Sequence, residues 1–82
     1  MVELRYYASE YRTGIVTYFV KIGEKEIDAN RNDLSSKLQE ALHSVNKHEI
    51  KWVNGPGQTP IWWERKMNSK EEQDFFNRIR QI

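Results

Sequence analysis

The residues in this chain that could do chemistry are few, and their spacing restricts them. His43 and His48 are the only histidines, and there is no cysteine. Five positions apart, two side chains on one continuous helix point about 140° away from each other, so the two imidazoles would not share a ligand. His43 and Glu40 form an i, i+3 pair, but a zinc site needs three or four converging donors. His48 falls where a helix gives way to a strand and reads as a C-terminal cap. Ser9, Ser35, Ser36 and Ser44 lack a nucleophile-elbow motif and a neighbouring base. The acids show neither DxD nor HExxH spacing. Gly55-Pro56-Gly57 invites comparison with a phosphate cradle, but no Gly-Lys-Ser/Thr follows it and Pro56 removes one backbone donor. A strand, not a helix N-terminus, comes next. The expectation is a non-enzymatic protein with no catalytic residue, no metal and no cofactor.

The aromatic residues are more informative. Three Trp, four Tyr and three Phe occur among 82 residues. Large rings fill a small core economically and are also enriched at interfaces. Which of them face outward depends on the elements that carry them.

The densest apolar run, Gly14 to Ile22, has Val16, Tyr18, Val20 and Ile22 on one face and the mixed set Ile15, Thr17, Phe19 and Lys21 on the other. It reads as an interior strand. Val2 to Tyr7 alternates as a first strand, with Ala8 to Gly14 as a hairpin loop. Gly23-Glu24 suits a type II′ turn into a short, charged edge strand, Lys25-Glu26-Ile27. A helix follows, with Asn30 or Asn32 as N-cap and a stripe of Leu34, Leu38, Ala41, Leu42 and Val45. Glu49 to Val53 and Ile61 to Met67 read as strands on either side of the loop Asn54 to Pro60. Ser69 and Glu72 form a capping box for a last helix carrying Phe75, Phe76, Ile79 and Ile82. Its acids lie early and its bases late.

This order, β-β-β-α-β-β-α, predicts a single α+β domain over 1–82: an antiparallel sheet of four to five strands with two helices on one face. The other face would display Arg5, Tyr7, Ile15, Thr17, Phe19, Lys51, Val53, Trp62, Glu64 and Lys66. If Trp63 points inward, alternation turns Trp62 outward, and with Tyr7 and Phe19 it would form an exposed aromatic patch.

Net charge is +1, from 13 basic and 12 acidic residues spread evenly along the chain. A basic stripe for duplex DNA is absent, as is the acidity of a nucleic-acid mimic. No apolar segment approaches the roughly 20 residues of a membrane span, and the first residues do not read as a secretory signal. With no cysteine, a cytoplasmic setting is expected. The expected function is a small protein-binding module, a phage-type accessory or inhibitor that docks on a larger host protein. Its binding residues would be Trp62, Tyr7, Phe19, Arg5, Lys51 and Lys66, with Asn54, Gly55 and Gln58 in the loop. A homodimer covering the same face is a competing outcome. The alternative function is single-stranded nucleic-acid or nucleotide binding, with bases stacked on Tyr7, Phe19 and Trp62 and phosphates met by Arg5, Lys51 and Lys66.

Overall fold

The computed structural model describes residues 2–10, 12–56 and 64–81. The elements are β1 (Val2–Glu10), β2 (Val16–Ile22), β3 (Lys25–Asp28), α1 (Leu34–Leu42), a 3-10 turn at Lys47–Glu49, β4 (Ile50–Asn54), β5 (Glu64–Arg65) and α2 (Ser69–Ile79). They form an α+β fold with a mixed five-stranded sheet and two helices. The sheet runs β3-β2-β1-β4, and β5 pairs with β1 beyond the end of β4. No helix among the described residues is long and apolar enough to cross a membrane.

The sheet is mixed because β4 lies parallel to β1, from Val2 against Ile50 to Tyr6 against Asn54. The wholly antiparallel sheet expected from the sequence is corrected here. Residues 29–49 carry the chain from the β3 edge to the opposite edge with α1 in between, and such a crossover can deliver a parallel strand. The remaining pairings are antiparallel: β1 with β2, β2 with β3, and Ala8–Ser9 of β1 with β5. Gly23 has φ +60 and no non-glycine residue described has a positive φ, as a type II′ turn requires.

Alternation then sets the two faces. Tyr6, Ala8, Val20 and Ile27 join Leu34 and Leu38 of α1, Phe75 of α2 and Met67 in one buried cluster, so both helices cover the same side of the sheet. Tyr6 is the aromatic hub of that cluster, stacked on Phe75 and meeting Phe76 edge-on, with Trp52 also in contact. Arg65 belongs to this face too, since it lies opposite Ala8.

Both helix starts differ from expectation. Asp33 is the N-cap of α1, without a side-chain capping bond. For α2 the capping box is Asn68 with Glu71, one residue earlier than Ser69 with Glu72. Both pairs fit the spacing rule, and tertiary contacts of the two glutamates decide between them.

Two stability effects follow. Leu4 is fully buried, beside Ile22 and Trp52. Leu4→Ala is expected to cost about 2–5 kcal/mol, read as a lower urea midpoint with unchanged slope. Gly23→Ala is expected to cost about 1–2 kcal/mol, because an L side chain resists the left-handed backbone there.

Candidate functional site

Among the described residues, the open face of the sheet carries less accessible aromatic surface than its sequence pattern suggests. Tyr7 does lie on it, opposite Phe19, but is only 1% exposed. Its ring stacks on Phe19 at 5.6 Å and its phenol donates to Glu26. Ser9 on the same face is equally buried. Phe19 is half-buried. Arg5 is bridged to Glu3 at 2.7 Å. Lys51 is exposed. Trp62 and Gln58 lie outside the described residues, as does Trp63, so the expected opposition of the two indoles does too. Tyr7, expected to be an exposed contact, is instead part of the interior, with its ring against Phe19 and its phenol bonded to Glu26.

The loop residues singled out from the sequence close the base of the loop. Gly55 donates its N–H to the Tyr6 carbonyl at 2.9 Å and is buried with φ +122. A Cβ there would meet the Lys66 stem at 3.3 Å. Asn54 donates to Glu72 at 3.1 Å and its Oδ1 accepts from the Met67 N–H at 3.4 Å. Asn54, Gly55 and Lys66 therefore come together, joining the end of β4 to the start of α2.

Beside them lies the polar cluster that anchors α2, which the sequence reading missed. Arg65 grips Glu71 with two bonds of 2.8 Å. Tyr18 donates to Glu71 at 3.1 Å, and Tyr6 donates to Glu72 at 2.6 Å. Glu71 also caps its own helix by accepting from the Asn68 N–H. The signal was available: two adjacent glutamates in a first turn, with tyrosines at even positions of two strands. The bidentate Arg65 bond holds the Glu71 carboxyl down at about 2. Burial first, then the Glu72 bond, pushes the Tyr6 phenol up to about 12. Tyr18 is raised by burial and by Glu71. No buried side-chain polar atom among the described residues lacks a partner. A cluster bonded so completely to itself positions a helix.

A concavity of about 180 Å³ lies at this cluster, lined by Tyr18, Asn30, Glu71, Asp74, Phe75 and Arg78, and a larger one with mostly apolar side chains in its lining lies elsewhere. A groove of about 520 Å³ runs between the C-terminal parts of α1 and α2 above β4, lined by Leu38, Leu42, Val45, Ile50, Trp52 and Ile79. Gln39 and His43 stand at it as the polar groups. The His43 Nδ1 lies 2.8 Å from the Glu40 carbonyl. A carbonyl only accepts, so Nδ1 carries the proton and Nε2 is left for another partner. Trp52 is half-buried here and touches Phe76 edge-on. Alternation along β4 puts Ile50 and Trp52 on the helix-covered face, where both remain half-buried. The sequence pattern does not show the groove, because helix separation is set by tertiary packing.

Comparison with known proteins leaves the reading to this geometry. The chain matches no family model, no curated protein and no solved structure. Among the described residues no group of three or more His, Asp or Glu could hold a metal ion.

The anchor makes stability depend on pH at both ends. The folded pKa of Glu71 is depressed, so its contribution is complete above about 4.5 and is lost as pH falls towards about 2. Glu71→Gln is expected to remove about 1–3 kcal/mol at pH 7 and to flatten that acid limb, measured by urea melts across pH. The folded pKa of Tyr6 is raised, so its contribution is complete below about 10 and fades as pH rises towards about 12. Tyr6→Phe should flatten the alkaline limb in the same assay.

Proposed function

We infer that this chain is a small protein-binding module that takes apolar side chains of a larger protein into the groove between α1 and α2. The observation that carries the reading is the groove: about 520 Å³ of apolar space with Ile50 and Trp52 in its lining and two polar side chains beside it. A half-buried Trp in an apolar concavity is the kind of anchor around which binding energy concentrates. Its volume would hold two or three side chains of a partner. With its Nδ1 taken up by the Glu40 carbonyl, His43 has Nε2 left for that partner, and Gln39 offers both a donor and an acceptor.

An enzymatic reading would need titratable groups converging on a pocket. Tyr18, Glu71, Asp74 and Arg78 do line a concavity of about 180 Å³, but Glu71 there is held by Arg65 and Tyr18 in fastening α2, and the lining of the groove includes no carboxylate. An accessory or inhibitory role needs only a complementary surface. Base stacking on the open sheet has less in its favour, because Tyr7 is buried and Arg5 is bridged to Glu3, leaving Phe19, Lys51 and Lys66 among the described residues.

The test is affinity capture with wild-type protein, Val45→Glu and Phe19→Ala, each checked for folding by circular dichroism. Val45 lies in the groove and Phe19 on the opposite face of the sheet. A charge placed in the groove is expected to reduce capture of the specific partner tenfold or more, while Phe19→Ala retains it. Undiminished capture by Val45→Glu removes the groove from the argument. Quenching of tryptophan fluorescence by oligonucleotides at low salt would instead favour the nucleic-acid reading.

A further inference from the structure

Among the described residues, β3 ends one side of the sheet and β4, with the short β5 beyond it, ends the other, and the β3 and β4 edges are built differently. In β3 the two-residue turn at Gly23-Glu24 makes Ile22–Lys25 the bonded pair that closes the hairpin. Bonding then alternates, as the Ala29 N–H donating to the Tyr18 carbonyl confirms. The backbone groups of Glu26 and Asp28 therefore point away from the sheet. Every register that matches these outward groups with those of a second β3 sets carboxylate against carboxylate. Like charges directly opposite one another are unfavourable, and such acids guard an edge.

On β4 the arrangement is open. Gly55 donates to the Tyr6 carbonyl next to the Tyr6–Asn54 pair, so Lys51, Val53 and Gly55 bond towards β1. The N–H and C=O groups of Ile50, Trp52 and Asn54 point outward, and no described residue bonds them. Proline is absent from the strand, and its one charge, Lys51, makes no ion pair among the described residues.

We propose that β4 pairs antiparallel with β4 of a second copy of this chain about a two-fold axis at Trp52, making one continuous ten-stranded sheet. With the axis there, Trp52 meets Trp52 and Ile50 meets Asn54 of the other copy. All outward amides and carbonyls then find partners, in about six hydrogen bonds. Lys51 faces Val53 of the other copy, so no lysine opposes a lysine. An isologous contact of this kind closes on itself as a dimer and leaves the acid-guarded β3 strands as its free edges. Ile50 and Trp52 line the groove, so the two grooves meet at the seam. Five-residue strands bury less than the usual 1,200–2,000 Å² of a stable interface, which points to a dimer that forms in the micromolar range. This inference stands independently of the groove's role as a docking site.

The register has a signature. Val53→Glu puts a carboxylate opposite Lys51 of the other copy, twice per dimer, and should tighten dimerisation about fivefold. Val53→Lys puts lysine against lysine twice and should weaken it by a similar factor. Lys51→Glu with Val53→Lys restores the opposite-charge pairs and should bring the affinity back. Sedimentation equilibrium over about 10 μM to 1 mM reads all four proteins, with circular dichroism as the folding control. On the wild-type protein, hydrogen exchange should show the Ile50, Trp52 and Asn54 amides slowing as concentration rises. The proposal is overturned by a wild-type protein that stays monomeric across the range. It is equally overturned by charge variants that shift affinity in the same direction, or by exchange at these three amides that is independent of concentration.

Discussion

The bond from the Tyr6 phenol to Glu72 is where the parts of this fold meet. Tyr6 sits in the central strand, with Val20 of β2 on one side and Asn54 of β4 on the other. Its carbonyl accepts the first N–H after β4, from Gly55, and its ring lies against Phe75 and Phe76 of α2. Its hydroxyl reaches a carboxylate that Asn54 also holds. Sheet, loop base and helix are thus tied through one side chain. A tyrosine suits the position because its body is apolar and its tip needs a partner when buried.

The neighbouring Glu71 extends the tie to β2 and β5 through Tyr18 and Arg65. Adjacent helix positions lie about 100° apart around the axis, so the two carboxylates of one turn reach different strands. Arg65 is needed on the sheet's apolar face for this, although its charge would mark the position as outward. The charge is tolerated because a bidentate partner meets it.

The α+β class and most of the elements were legible because they follow from local pattern. β1, though, runs on through Glu10, into the expected loop, and the expected strand Ile61 to Met67 is a strand, among the described residues, only at Glu64–Arg65. Alternation marks β1, β2 and β4, the Gly23-Glu24 pair marks a hairpin, and the leucine spacing marks α1. The direction of β4 was not legible in the same way. Ile50 to Asn54 alternates identically whether it runs with or against β1, and only the path of residues 29–49 across the sheet decides. The site was legible in part. Phe19 and Lys51 lie on the face expected of them, but nothing in the spacing of Tyr7 tells that it would be buried there. Asn54 and Gly55 were noticed as loop residues, and their bonds to Glu72, Met67 and Tyr6 are long-range contacts that no local pattern encodes. The choice of Asn68 over Ser69 as N-cap has the same origin, since Glu71 is held in place by Arg65.

The groove can be understood as a consequence of how α2 is fastened. Its carboxylate anchors both lie in its first turn, at Glu71 and Glu72. Eleven residues span about 16 Å, so Ile79 lies some two turns beyond the last of those ties. There the helix is held by Phe75 and Phe76 against Tyr6 and Trp52, and by the Arg78 guanidinium on the Arg31 carbonyl. α1 ends at Leu42, and the chain turns through Val45 towards β4. The two helix ends therefore frame Ile50 and Trp52 without closing over them. A helix fastened at its start by two carboxylates and held further on mainly by aromatic contacts leaves apolar side chains uncovered near its end, which is why the apolar groove lies away from the part of the molecule richest in polar bonds.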